Sequence, residues 1–178
     1  MKKTLLLLLF TFTGLTSCKK DALDVNFSTD LSATSDEIVV NETQRNTMTG
    51  QDYSTTFVLN LDNSDTHDYL DQLKSLDLSN VNISFDGLEN LTGNNTVVDL
   101  TITIDNDIII TIPDFNYDMV AQGEPFAITN MQKIDQIAGR LLANKKINIT
   151  VSGSIPSGDT FHFYITFSAK ADIKANAL

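Results

Sequence analysis

From Val98 to Ile112 the sequence alternates apolar and polar residues, and the alternation continues across a turn. Val98, Leu100, Ile102 and Ile104 share one parity before Asp105-Asn106-Asp107, and Ile108, Ile110 and Ile112 share one after it. A period of two sends successive side chains to opposite faces of a strand. The passage is therefore expected to be a hairpin with one dry face, which restricts the rest of the chain to elements that can cover it. The register fixes the loop. A two-residue turn at either Asp105-Asn106 or Asn106-Asp107 pairs apolar with polar positions. A three-residue loop pairs Ile104 with Ile108 and Ile102 with Ile110, and keeps one face apolar. Pro113 is expected to end the second strand.

The same period recurs along the chain. Leu23 to Ala33 reads as a half-buried strand, Glu37 to Glu42 as a second, and Tyr53, Thr55, Phe57, Leu59 and Leu61 as a third, after a polar stretch over 43–52 that reads as a loop or weak edge. At Asn63-Ser64-Asp65 the pattern changes. Ser64 or Asp65 can cap a helix, and Tyr69, Leu70, Leu73 and Leu76 fall at three- and four-residue spacing, which predicts a short amphipathic helix. Strand pattern returns at Val81, Ile83 and Phe85, and stops at Asp86-Gly87 ahead of a turn-rich passage with Gly93-Asn94-Asn95. Residues 114–125 read as a loop with room for a short strand. Thr129 with Gln132 forms a capping box for a second helix carrying Met131, Ile134, Ile137, Ala138, Leu141 and Leu142. Ile147 to Val151, a loop over Gly153 to Asp159, and a strand from Phe161 to Ala171 complete the order. Helix-then-strand passages ending in Val81–Gly87 and Ile147–Gly153 look alike, which raises the possibility of an internal duplication. About eight short strands with turn signals predict a mainly β protein, an antiparallel β-sandwich (Ig-like or related) with two short helices. The alternative is an α+β fold with both helices packed on one sheet face.

The first residues carry a different message. Met1-Lys2-Lys3 is a basic start, Leu5 to Phe12 a compact apolar run, and Leu15-Thr16-Ser17-Cys18 a small-residue approach to the only cysteine. The run falls short of the about 20 apolar residues that a membrane helix needs. This arrangement resembles the lipobox of bacterial lipoproteins, and Ser17-Cys18-Lys19-Lys20-Asp21 is similar to the lipoprotein start common in the Bacteroidota. The resemblance covers roughly the first 20 residues. It implies that residues 1–17 are a signal peptide, that Cys18 is lipidated, that 18–22 form a short tether, and that 23–178 form one β-rich domain. It also implies an exported protein, anchored to the membrane by lipid at the outer membrane or cell surface.

Loss of Lys2 and Lys3 would take the formal charge from −11 to −13. A chain this acidic repels phosphate backbones, so nucleic acid is not an expected partner. With Cys18 consumed by lipid, no thiol remains for a disulfide, a zinc site or a nucleophile.

Candidates for chemistry are sparse. His67 sits among Asp62, Asp65 and Asp68 in a predicted first helical turn, where a solvated role is expected, and His162 alternates with Phe161 and Phe163, which places it on an outer strand face. Asp62, Asp65 and Asp68 give the 62–68 stretch the oxygen density of a calcium loop, without the central Gly and distal Glu of an EF-hand. Asp105-Asn106-Asp107 offers similar ligands, which turn chemistry also explains. Tyr53, Tyr117 and Tyr164 could form a sugar platform in a chain that has no Trp. The expected function is a non-enzymatic, membrane-anchored binding or assembly lipoprotein of the bacterial cell envelope, with a protein or glycan partner. An accessory glycan-binding lipoprotein is the alternative, and a hydrolase built from Asp, Ser and His the third. An exposed tyrosine row favours the glycan binder, a bare sheet edge or apolar patch the assembly module, and a deep polar pocket around a histidine the enzyme.

Overall fold

The computed structural model describes residues 24–40, 51–88, 97–117, 124–155 and 160–177. The leader, Cys18, the tether, Leu23, the Gly93-Asn94-Asn95 turn and most of the 43–52 loop lie outside the described residues, as does the 156–159 part of the loop after Gly153.

The elements run β1 (Asp24–Thr34), β2 (Ile38–Val40), β3 (Gln51–Asn60), a 3-10 helix (His67–Gln72), β4 (Leu73–Asp86), β5 (Val97–Ile104), β6 (Ile108–Asn116), β7 (Phe126–Ala127), α1 (Met131–Asn144), β8 (Lys146–Ile155) and β9 (Phe161–Asn176). Two antiparallel sheets form a sandwich. One has the order β1-β9-β4-β7, with β2 also pairing on β9, and the other β3-β8-β5-β6. β9 is its longest strand. Phe161, Phe163, Ile165, Phe167, Ala169, Ala171, Ile173 and Ala175 alternate inward without a break, so the strand continues past Ala171 to Asn176. The inner faces share one core in which Leu59, Ile83, Leu100, Ile102, Ile104, Ile147, Ile149 and Val151 have no more than traces of exposed surface. Each such aliphatic side chain contributes about 1.5–3 kcal/mol by leaving water.

The central hairpin forms as its parity requires. Ile104 faces Ile108, Ile102 faces Ile110 and Leu100 faces Ile112 across β5 and β6. Asp105 and Asn106 take left-handed backbone angles (φ 47 and 65) in the three-residue loop, a conformation that Asp and Asn tolerate. Pro113, however, does not end β6. The ladder shifts between Val98 and Leu100, Asp114 turns to φ 54, and β6 runs on to Asn116. The proline is accommodated because β6 is an edge strand, where a missing N–H costs no ladder bond.

The first predicted helix is present but shorter than its spacing suggests, and gives way to strand at Leu73. Only His67–Gln72 is helical, as a 3-10 turn preceded by Thr66, which makes no side-chain cap bond. Ser64 and Asp65 are not its cap. Asn63 organises the approach, its Oδ1 accepting from Asp65 N (2.9 Å) and Thr66 N (3.1 Å). Leu73 and Leu76 belong to β4, which is irregular against β9 between Leu73 and Ser75 and again between Ser79 and Asn82. Each irregularity inserts a residue and moves the buried side from one parity to the other, as Asn80 does with φ 49. Inward positions therefore run Leu76, Leu78, then Val81, Ile83, Phe85. The three-residue gaps Leu73 to Leu76 and Leu78 to Val81 imitate helical spacing.

The second helix is present, with a different cap. Asn130 precedes α1 and its side chain accepts from Lys133 N (3.2 Å), so the Thr129–Gln132 box is not used. Ile134, Ile137, Ala138 and Leu141 form its buried stripe against β4, β8 and β6. Lys145 ends it in a left-handed conformation (φ 64), its N–H donating to Leu141 O and its Nζ to Leu142 O (2.7 Å). The two helix-strand passages are therefore built differently, a 3-10 turn into β4 and an α-helix into β8. β4 lies between β9 and β7 with two irregularities, whereas β8 lies in the other sheet in unshifted register with β3.

Gly153 lies within β8 and not in a loop. It stands opposite Tyr53, and a Cβ there would come within 2.8 Å of the Tyr117 hydroxyl and 2.9 Å of the Tyr53 hydroxyl. The two hydroxyls hydrogen-bond at 2.9 Å inside an aromatic cluster, with Phe163 edge-on to Tyr53 (5.3 Å) and Phe85 and Phe115 edge-on to Tyr117 (5.6 and 5.2 Å).

Candidate functional site

The two histidines lie apart on the surface. His67 Nδ1 is 2.9 Å from Asp62 Oδ1 with 72% of its side chain exposed. The Asp62 hydrogen bond and charge, with a smaller contribution from Asp68, raise its affinity for a proton above that of an ordinary histidine. His162 points outward from β9, as its alternation predicts, with Nδ1 3.3 Å from Glu37 Oε1.

The three calcium candidates do not converge. Asp62 pairs with His67, Asp65 accepts from Thr29 Oγ1 (2.8 Å) and Ser64 Oγ (3.3 Å), and Asp68 lies on the 3-10 helix. Among the described residues no group of three or more His, Cys, Asp or Glu side chains could hold a metal ion. Asp65 has a structural task. With Asn63 Nδ2, which donates to Thr29 Oγ1 (3.1 Å), it ties the loop after β3 to the buried Thr29 of β1. In the other turn, Asp105 Oδ1 accepts from Asn148 N (2.9 Å) and Nδ2 (3.2 Å), and Asp107 pairs with Arg140.

The tyrosines do not form a platform. Tyr53 and Tyr117 are 7% and 2% exposed, and burial pushes both phenols above the ordinary tyrosine range, so they stay neutral core residues. Tyr164 alone of the three is exposed, at 41%.

The sheet edges differ in a way that bears on function, because an edge strand exposes unpaired N–H and C=O groups that can template another strand. β7 has only two residues. β6 carries Pro113 and the Asp114 irregularity. β1 carries Asp24 and Asp30, and its line breaks at Ser35, whose hydroxyl accepts from Ile165 N (3.0 Å) before β2 resumes. Asp24 is held by Lys174 (2.8 Å) and by Lys74, which keep its carboxyl below the usual carboxylate range. β3 has none of these features after its first turn of sequence. All ten of its residues pair with β8 without a shift, it contains no Pro, Gly or Lys, and its one charge is Asp52 near the start. Among the described residues no strand pairs with its other side.

The backbone polarity of that edge follows from β8. Asn148 O accepts from Asp105 N (3.0 Å), so residue 148 directs its peptide groups toward β5. Successive residues of a strand direct them to alternate sides. Odd-numbered β8 residues therefore serve β3, and their partners Tyr53, Thr55, Phe57 and Leu59 face β8. Asp52, Ser54, Thr56, Val58 and Asn60 direct N–H and C=O away from the sheet. Their side chains lie on its exposed outer face, beside hydroxyl pairs Ser54–Ser152 (3.1 Å) and Thr56–Thr150 (2.8 Å).

Among the described residues, fold and edge together define a β-sandwich in which β3 is a regular, largely uncharged margin. No family model matches the chain, and no curated protein or solved structure gives a significant match. Sequence reasoning placed the strand but not its edge position. The available signal was negative: from Ser54 to Asn60 there is neither charge nor Pro nor Gly, whereas β1 carries Asp24 and Asp30 and β6 carries Pro113 and Asp114.

Proposed function

We propose that this protein is a non-enzymatic assembly module of the bacterial cell envelope, lipid-anchored through Cys18, that works by adding a strand to an open sheet edge. The observation that carries this reading is β3, a ten-residue edge strand in unshifted register whose stretch from Ser54 to Asn60 carries no charge, whereas the equally regular β1 carries Asp24 and Asp30, β6 carries Pro113 and Asp114, and β7 has two residues. The leader supports the location. Its basic start, apolar run and Leu15-Thr16-Ser17-Cys18 suit export and lipidation, and β1 begins at Asp24, so the sandwich would stand close to the outer membrane or cell surface.

Anchoring is tested by Cys18→Ala. The parent chain should take up labelled palmitate and leave membranes only with detergent, because each buried methylene contributes about 0.8 kcal/mol and several chains hold firmly. The variant should take up none. Label on the variant contradicts the lipid site. The non-enzymatic part is tested by His67→Ala and His162→Ala in a deletion strain. Full complementation is expected, and loss of complementation with unchanged thermal unfolding contradicts it.

A further inference from the structure

We infer that β3 pairs with β3 of a second copy of this chain, antiparallel about a two-fold axis at Thr56, to join two four-stranded sheets into one of eight strands. The inference rests on the assembly reading above and names its partner.

Three observations select this occupant and this register. First, the residues that direct peptide groups outward are Asp52, Ser54, Thr56, Val58 and Asn60, and Thr56 is their midpoint. Pairing about Thr56 sets Asp52 against Asn60, Ser54 against Val58 and Thr56 against its own counterpart, so every outward N–H and C=O on both strands finds a partner. Pairing about Thr55 would set Asn60 against residue 50, beyond the bounds of β3, and a one-residue slip would set outer side chains against inner ones. Second, the surface is self-complementary, as a two-fold interface requires. No charge meets its like across the seam, and the half-buried Thr55 would meet Phe57 of the other copy on the core side. Third, the outer face already carries Thr103 beside Thr150 and Thr150 bonded to Thr56. A Thr56–Thr56 contact continues this row across the axis, and such cross-strand threonine pairs stabilise sheets.

One force opposes association. Without Lys2 and Lys3 each copy would carry a formal −13, so copies repel at long range. Raising salt from about 0.01 M to about 1 M shortens the screening length from about 30 Å to about 3 Å. Pairing should strengthen with salt, whereas a cationic partner strand would bind less well.

The test is disulfide trapping of the full chain in isolated membranes. Opposed residues in a hydrogen-bonded antiparallel pair have Cα atoms about 5.5 Å apart, which suits a disulfide. Thr56→Cys should oxidise to a covalent dimer, with more dimer at high salt. Ser54→Cys mixed with Val58→Cys should do the same, while either alone, Ser32→Cys on β1, and the parent chain with only Cys18 should not. Reduced variants should unfold at the parent temperature. Absence of dimer in both Thr56→Cys and the mixture overturns the inference, as does equal trapping of Ser32→Cys. Preferential trapping of Ser54→Cys with Thr56→Cys overturns the register, and a Thr56→Cys adduct to a different protein overturns the second copy as occupant. Palmitate uptake is scored on the same membranes: label without dimer removes the pairing and leaves the anchor, and dimer without label does the reverse.

Discussion

Gly153→Ala tests whether the aromatic end of the core is as tightly built as its geometry implies. The added methyl would lie 2.8 Å from the Tyr117 hydroxyl, 2.9 Å from the Tyr53 hydroxyl and 3.1 Å from Tyr53 Cζ. The rings have little room to retreat. Phe163 stands edge-on to Tyr53, and Phe85 and Phe115 to Tyr117, at 5.2–5.6 Å. Overpacking of a filled core costs about 1–3 kcal/mol, and separating the buried Tyr53–Tyr117 bond adds about 0.5–1.5 kcal/mol. The sum is about 1.5–4.5 kcal/mol, and each kcal/mol lowers Tm by about 2–4 °C in a domain of this size. Urea unfolding measures it, provided m is unchanged. The control is a cycle with Tyr53→Phe and Tyr117→Phe together. Removing both hydroxyls makes room for the methyl, so Gly153→Ala in that background should cost under about 1 kcal/mol. An equal cost in both backgrounds would refute the steric argument and place the effect in the strand's backbone.

Two further outcomes follow from the same structure. Ile102→Ala, at a site with no exposed surface, should cost about 2–5 kcal/mol in denaturant unfolding, and Thr103→Ala on the opposite face far less. Equal losses would contradict the register. His67 should titrate above about 6.5 by NMR, and Asp62→Asn should bring it down, because the Asp62 carboxylate favours the protonated ring. Since the folded value is raised, the stabilising effect of the pair is complete below the unfolded value and disappears as pH rises through the folded one.

How legible the fold was depended on how regular each strand is. The β5–β6 hairpin and β9 keep one parity over long stretches, and their faces and the three-residue loop could be read from residues alone. The start of β4 could not, because its two inserted residues break the parity and put Leu73 with Leu76, and Leu78 with Val81, three residues apart as in a helix. Gly153 read as a loop residue because nothing local shows that two tyrosine hydroxyls, one of them 100 residues away in Tyr53, fill the space beside it. The polar triplets behaved similarly. Asp62, Asp65 and Asp68 suggest cation ligands in sequence, but Asp62 is directed by His67 in its own loop and Asp65 by Thr29 of the other sheet. The β3 edge is a property of sheet order, so it emerges only once β8 is known to have β3 on one side and β5 on the other.

Amide hydrogen exchange of the full chain, read residue by residue at rising protein concentration, tests the pairing edge most directly. Tyr53, Thr55, Phe57 and Leu59 donate toward β8 and should be protected at every concentration. The amides of Ser54, Thr56 and Val58 should exchange fast in dilute samples and become protected as concentration rises, with the strongest gain at high salt. Protection of those three that does not change with concentration would mean that the edge is covered within a single chain, and fast exchange at all concentrations would mean that it is not used. Either result contradicts assembly through β3.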